Sequence, residues 1–407
     1  MHPVVGTAPE PKATAADLRS CASGLAAVLM AAMALPMLVL YAVGTLGPML
    51  GRDLGVAPGS LGWVTAATFG VAAALSPWAG TWTARLGGRL GLVVLFLAVS
   101  LVYTMMAWAP GLTALTCAVA VGGVAQALCN PVTNLLIAQQ VAPNQRPRMV
   151  GVKQAGVQVA ALFAGLALPV LASRWGWRWT LGLMAPLGLL LALAVPAVTR
   201  QHAAGPVPPM TPPRPNLALA VLMGIQWCVG AALSAFIVSL PAHAAAQGWP
   251  LVQAGHLVAV FAATGLVSRV VLTPLAAQLR DESWLILFLL VIAAASAGGV
   301  LLAGPLRQWP LWCAAGLMGI SAVALNAVAM GMVVRHATFG ATAVASGWLS
   351  AAFFAGLALG APLAAAAANF GYGLEWTWLG LAMVLSVAAT ITPLLRWAMR
   401  GSRVSRG

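Results

Sequence analysis

The strongest constraint on this chain is the recurrence of windows of about eighteen or more predominantly apolar residues, each able to cross a ~30 Å hydrocarbon core as a helix. Twelve windows can be read, at 25–48, 60–83, 90–108, 112–140, 149–173, 178–198, 217–242, 252–277, 283–304, 310–334, 341–367 and 375–397. Within lipid, backbone polar groups must be satisfied internally, which leaves only helices and closed barrels. The windows lack the period-two alternation of barrel strands, so helices are expected. Charge agrees with this. Soluble domains carry about 25% charged residues, whereas only 6% of this chain is charged and 61% is hydrophobic.

The few charges are placed asymmetrically. With the N-terminus inside, fourteen of the twenty Lys and Arg fall on the cytoplasmic side, and only Arg52, Arg174, Arg178 and Arg307 fall outside. This is the positive-inside bias; it puts both termini in the cytoplasm of a multi-pass protein of the bacterial inner membrane. The +14 net charge therefore reflects topology, and no nucleic-acid partner is expected. The leading stretch MHPVVGTAPEPKATAADLRS lacks the pattern of a removable signal peptide. Cys21, Cys117, Cys129, Cys228 and Cys313 are scattered and suggest neither a disulfide framework nor a metal site. Two cations belong to neither surface: Lys153 and Arg269.

One break divides the apolar pattern. Residues 199–216, TRQHAAGPVPPMTPPRPN, are Pro-rich and polar and read as a cytoplasmic linker between two sets of six helices. The expected organisation is a tail at 1–24, a bundle at 25–198, the linker at 199–216, a second bundle at 217–397 and a basic tail at 398–407. Internal similarity supports the division. FAGLAL occurs at 163–168 and at 354–359, an offset of 191, and GTWTARLGG at 80–88 has a faint counterpart in TPLAAQLRD at 273–281, an offset of 193. The expected fold class is thus an all-α membrane protein with twelve transmembrane helices in two pseudo-symmetric six-helix bundles. Alternating-access carriers are built this way, with the site between repeats near the midplane.

The residues also resemble a family. GTWTARLGGRL is similar to the cytoplasmic-loop signature of the major facilitator superfamily, Gly-x-Leu-Ala-Asp-Arg-x-Gly-Arg-Arg. GVKQAGVQ at 151–158, followed by WGWRW, resembles the fifth and sixth helices of its cyanate-permease-like and related anion carriers. The resemblance implies a transporter, and no enzyme. The signature's acid is Ala84 here and its second-half counterpart is Ala277, so the cytoplasmic latch must be weaker or made differently. Where the repeat fails is informative, because scaffold positions repeat and substrate chemistry need not. Arg269 aligns with Ser76, and Lys153 aligns with Val344.

Arg269 lies eleven residues before Arg280, about 16 Å along a helix. If Arg280 marks the inner interface, Arg269 is near the midplane, where an Arg costs at least about 2.5 kcal/mol and should face a cavity or partner. The competing role is a packing bond to carbonyls at the interdomain contact; similar Arg residues bind carboxylates in the oxalate–formate and monocarboxylate carriers that this segment resembles. Lys153 is five residues beyond Arg148, shallow enough to snorkel to headgroups instead of binding a ligand. Gln154 and Gln158 share a helix face at i, i+4, and Asn130 and Asn134 repeat that spacing around Pro131. Tyr41, Gln126, Gln226 and Asn326 are single polar residues that line the path or bond neighbouring helices.

The missing acids narrow the chemistry. Glu10, Asp17, Asp53, Asp281, Glu282 and Glu375 all lie outside the middle of a span. A carrier of organic cations normally needs a buried carboxylate, whereas a cavity whose charges are Lys and Arg attracts anions. The expected substrate is a small anion of the monocarboxylate or cyanate-like class, moved by a proton-linked monomeric carrier without cofactor or metal. The site set is Arg269, Lys153, Gln154, Gln158, Asn130, Asn134, Tyr41, Gln226 and Asn326. Nitrate fits less well, since the nitrate porters this resembles use an Arg in both the second and eighth helices, and Ser76 breaks that pair. The alternative within transport is an efflux carrier for neutral or hydrophobic compounds. Its antiporter pattern Gly-x-x-x-Gly-Pro-x-x-Gly-Gly has only GLALPVLAS at 165–173 as a near match. A membrane sensor or intramembrane enzyme lacks its usual motifs: no His-Glu-x-x-His pair and no nucleotide loop is present.

Overall fold

A computed structural model describes residues 15–56, 58–201, 214–279, 281–304, 307–340, 342–367 and 373–404. Arg280, Lys12, Arg406 and most of the 199–216 linker lie outside the described residues. The helices are α1 (Ala15–Leu54), α2 (Gly62–Ala107), α3 (Leu112–Gln140), α4 (Arg146–Leu166), α5 (Leu168–Gly182) and α6 (Met184–Val198). After the linker come α7 (Leu217–Ala246), α8 (Leu251–Gln278), α9 (Ser283–Gly299), α10 (Trp309–Arg335), α11 (Thr342–Ala367) and α12 (Gly373–Val404). The described residues contain no strand, only one isolated bridge between Gly304 and Arg307. Eleven helical segments among them are long and apolar enough to cross a membrane, so the protein is an all-helical multi-pass membrane protein.

Two helix boundaries differ from the sequence expectation. The helix of the first span starts at Ala15, inside the expected 1–24 tail, and α12 runs to Val404, into the expected 398–407 tail. The flanking residues AADLRS and MRGSRV are mostly fair helix formers, so nothing stops the helices at the apolar edge.

The merged pair 60–83 and 90–108 has a clearer cause. Helix α2 contains 46 residues, but Gly87 within it has φ 75° and ψ 162°, a left-handed backbone that side chains other than Gly adopt only with strain. Gly122 of α3 shows what this does: a Cβ there would touch Val102 at 3.5 Å and Thr68 at 3.8 Å. Thirty-four residues of straight helix would hold those two about 50 Å apart. The two arms of α2 therefore fold back at Gly87 onto the same neighbour. Gly176, with φ 77° and ψ 156°, makes the same break inside α5. RLGGR at 85–89 and RWGWR at 174–178 are thus two one-residue reversals at opposite ends of the helices.

The tryptophans of RWGWRW are structural. Trp177 is fully buried and donates from Nε1 to Asp53 Oδ2 at 2.9 Å, while Arg178 lies 4.3 Å over its ring and donates from Nη2 to Ala109 O at 3.1 Å. This ties the Gly176 end of α5 to α1 and to the end of α2. Trp108 and Trp179 are highly exposed there, as interfacial belt residues are.

Candidate functional site

The candidate residues meet on the seam between α4 and α8. The two helices run antiparallel with regularly spaced contacts. A Cβ on Gly165 would lie 2.5 Å from Ala259 N, and one on Gly265 would lie 2.4 Å from Gln158 Nε2. Arg269 then reaches Gln154, donating from Nη1 to the backbone O at 2.8 Å and to Oε1 at 3.1 Å. The pairs 154–269, 158–265 and 165–259 step along both helices by about whole turns, which is why one face of GVKQAGVQ meets one face of α8.

Lys153 does not snorkel. Its side chain is 1% exposed, and Nζ donates to Asn134 Oδ1 at 2.7 Å, Thr133 Oγ1 at 2.8 Å and Asn130 Oδ1 at 3.3 Å. An ammonium has three donors and no acceptor, so all three of its N–H groups are used within the protein. Thr133 is oriented for this, because its own hydroxyl donates to Cys129 O at 2.5 Å and leaves its oxygen facing the lysine. Gln154 Nε2 donates to Asn130 Oδ1 at 3.3 Å. A continuous chain of bonds therefore runs Lys153–Asn130–Gln154–Arg269, with Lys153 on α4 and Arg269 on α8. No carboxylate among the described residues pairs with either cation.

Arg269 has donors left unused among the described residues. Both of its bonds leave from Nη1, and Nε is buried without a partner among the described residues. The Nε–Nη2 edge is the one that meets a carboxylate side-on through two parallel hydrogen bonds. Tyr41 is buried on α1. Gln158 is enclosed, and neither its Oε1 nor its Nε2 has a partner among the described residues. Asn326 is partly buried on α10, three residues beyond Val323, whose side chain packs against the Gly265 position. Asn134 is exposed, so the lysine cage opens on that side.

The geometry thus brings together Arg269, Lys153, Gln154, Asn130 and Asn134 and sets Gln158 on the next rung. It does not connect Gln226 to them: that residue is buried on α7 with both amide atoms unpartnered among the described residues. Sequence reading missed Thr133 and Gly265. A Thr or Gly inside an apolar span carries no signal of its own; only the register of the helices gives them work.

A second polar cluster lies at the Gly87 end of the helices. Glu282, between α8 and α9, is buried and accepts at Oε1 from Arg335 Nη2 at 2.7 Å and Nε at 2.9 Å, with His336 Nε2 3.2 Å from Oε2. Asp281 pairs with Arg396 at 2.7 Å. These pairs join the α8–α9 corner to α10 and α12 where the signature's acid is missing. Removing one partner of a buried pair leaves a charge uncompensated, while Arg335 is partly exposed and screened. Glu282→Gln should therefore cost about 2 kcal/mol, read as a fall of several degrees in the unfolding temperature of the purified protein. An unchanged transition would show that solvent carries the cluster instead.

Comparison with known proteins agrees with this architecture. The family model of the Major Facilitator Superfamily matches residues 24–345. Among solved structures, a bacterial homolog of the human lysosomal transporter Spinster, captured in an inward-facing and occupied conformation, is similar with a TM-score of 0.72 at 17% identity, over 93% of this chain and 97% of that one. No curated protein sequence matches significantly. Multiple membrane-spanning helices and a family match over most of the length lead to one conclusion: the chain belongs to the Major Facilitator Superfamily of membrane transporters.

Proposed function

We propose that this transporter is a secondary active carrier of a small organic anion, of the monocarboxylate class, working by alternating access in the bacterial inner membrane with both termini cytoplasmic and with proton linkage. The observation that carries the reading is the α4–α8 seam. Among the described residues two buried or partly buried cations meet through neutral groups, and Nε of Arg269 is buried there without a partner. A cation at membrane depth without a counter-charge is costly, and an anion entering the seam offsets that cost.

The same geometry supports two halves and a count of twelve. Gly87 divides Gly62–Ala107 into two spans, which raises eleven segments to twelve. A Cβ on Gly44 would lie 2.5 Å from Ile237 O, and those residues are 193 apart, the offset of the sequence repeat. A residue touching its own repeat mate lies on a pseudo-two-fold axis. The mate of the Gln154–Arg269 contact is then the α2–α11 contact near Ser76, where a Cβ on Gly347 would lie 3.5 Å from Ser76 O. At that mirrored place neither cation has an equivalent, so the charged seam is the specialised one.

Thermal-shift screening of the purified protein separates the readings at low cost. Small carboxylates should raise the unfolding temperature in the millimolar range, while organic cations should not. Stabilisation only by neutral amphiphiles would favour the efflux alternative and remove this one.

A further inference from the structure

Three of the four cations assigned to the outer side, Arg52, Arg174 and Arg178, gather at the Gly176 reversal. Arg174 and Arg178 flank it, and Arg52 adjoins Asp53, which accepts from Trp177 Nε1 at 2.9 Å. Among the described residues none of the three forms an ion pair, and Asp53 can offset one of them at most. Positive charge is thus in excess at a place where the charge bias of the chain otherwise removes it.

Beside Arg178 a recess of about 510 Å³ lies between the end of α2 and the start of α6, with Thr104, Ala109 and Pro186 in its lining and Trp108 and Trp179 as walls. The walls are 83% and 75% exposed, so the recess opens to the surrounding membrane and not into the bundle. One turn deeper it is closed: Ser100 donates from Oγ to Ala185 O at 2.9 Å, and a Cβ on Gly188 would lie 3.1 Å from Ser100 N. Exposed apolar rows lead away from it, through Met105, Leu101 and Leu97 on α2 and through Leu183, Leu187 and Leu190 on α6. Steps of three and four residues keep each row on one helix face.

Arg178 is held at this recess. It lies 4.3 Å over the Trp177 ring and donates from Nη2 to Ala109 O at 3.1 Å, which leaves most of its donors for a ligand. A guanidinium meets a phosphate through two parallel bonds, and basic pockets between membrane helices hold lipid headgroups in this way. A free phosphate would answer the arginine but not the apolar rows. A neutral lipid would answer the rows but not the arginine, and a zwitterionic headgroup would bring its own cation toward Arg52 and Arg174. We propose that the Trp108–Arg178–Trp179 recess binds an anionic phospholipid from the leaflet that meets the Gly176 end, with its phosphate on Arg178 and its acyl chains along the two rows. That leaflet is the outer one in the orientation proposed above. The site stands apart from the α4–α8 seam and needs no property of it.

The test is lipid retention by purified full-length protein in native mass spectrometry, with phosphatidylglycerol and phosphatidylcholine of identical chains, and with glycerol phosphate as a competitor without chains. Arg178→Gln is the main variant, because a glutamine can still donate to Ala109 O. Comparing it with the wild type cancels any lipid held elsewhere on the protein. The wild type should retain one phosphatidylglycerol that Arg178→Gln binds at least about tenfold more weakly, while phosphatidylcholine stays within about threefold. Thr104→Trp, which fills the recess from an exposed position, should lose the same lipid and serves if Arg178→Gln does not fold. Glycerol phosphate should not displace it. Equal retention of phosphatidylglycerol by the wild type and the variants overturns the site. Equal loss of both lipids in Arg178→Gln overturns the headgroup role, and displacement by glycerol phosphate at like concentration assigns the recess to a soluble anion and overturns the lipid.

Discussion

Arg269→Lys should lose most carboxylate binding although it keeps the charge, and Arg269→Ala should lose it entirely. The reason is geometric. In the wild type Nη1 is anchored on Gln154, and that anchor leaves Nε without a partner among the described residues. A lysine can supply the charge or the anchor from one compact head, but it has no second, fixed pair of donors. A hydrogen bond to a charged group contributes about 1.5–3 kcal/mol, so removal of the fork lowers affinity by roughly ten- to hundredfold. The loss should appear in Kd and not only in turnover, because the pairing exists in the occupied ground state. Arg269→Lys with near wild-type affinity would mean that Arg269 serves only to pin α8 to α4.

Lys153→Met should keep the fold and weaken the anion by roughly thirtyfold. The three acceptors it leaves behind are not stranded. Thr133 still donates to Cys129 O, Asn130 still accepts from Gln154 Nε2, and Asn134 is exposed. Replacing a buried charge with an apolar side chain of similar volume is often neutral for stability. All three ammonium donors are used by the cage, so in the proposed carrier Lys153 would act on the substrate through its field and not through a direct bond. At an effective dielectric of about 20 and a separation of about 8 Å, that field contributes about 2 kcal/mol. Affinity in Lys153→Met that matches the wild type would restrict this residue to tying α3 to α4. A collapse of the unfolding temperature would make it a structural centre.

How far the sequence reaches can be judged from these residues. Length and apolarity made the spans legible, and the scarcity of acids isolated Lys153 and Arg269 as cations without counter-charges. The i, i+4 spacing placed Gln154 with Gln158 and Asn130 with Asn134 on common faces. Periodicity does not say which face meets which helix. The register of α4 against α8 is set by close approach at Gly165, Gly255 and Gly265, and glycine is too frequent in these spans to single those three out. Lys153 looked shallow because depth was counted from Arg148; burial depends on what covers the side chain, and α3 covers it. The one-residue reversals at Gly87 and Gly176 were hidden because a loop was expected where one left-handed residue suffices. Glu282 and Arg335 are 53 residues apart in sequence, so their pairing depends on how α8 and α10 pack.

The most direct measurement is counterflow in proteoliposomes: vesicles preloaded with an unlabelled small monocarboxylate are diluted into the labelled compound, for the wild type and Arg269→Ala. The account predicts transient accumulation of label by the wild type, competition by other small carboxylates and not by organic cations, and no accumulation by Arg269→Ala. Counterflow by Arg269→Ala at the wild-type rate and affinity, or wild-type exchange of organic cations in place of anions, would contradict it.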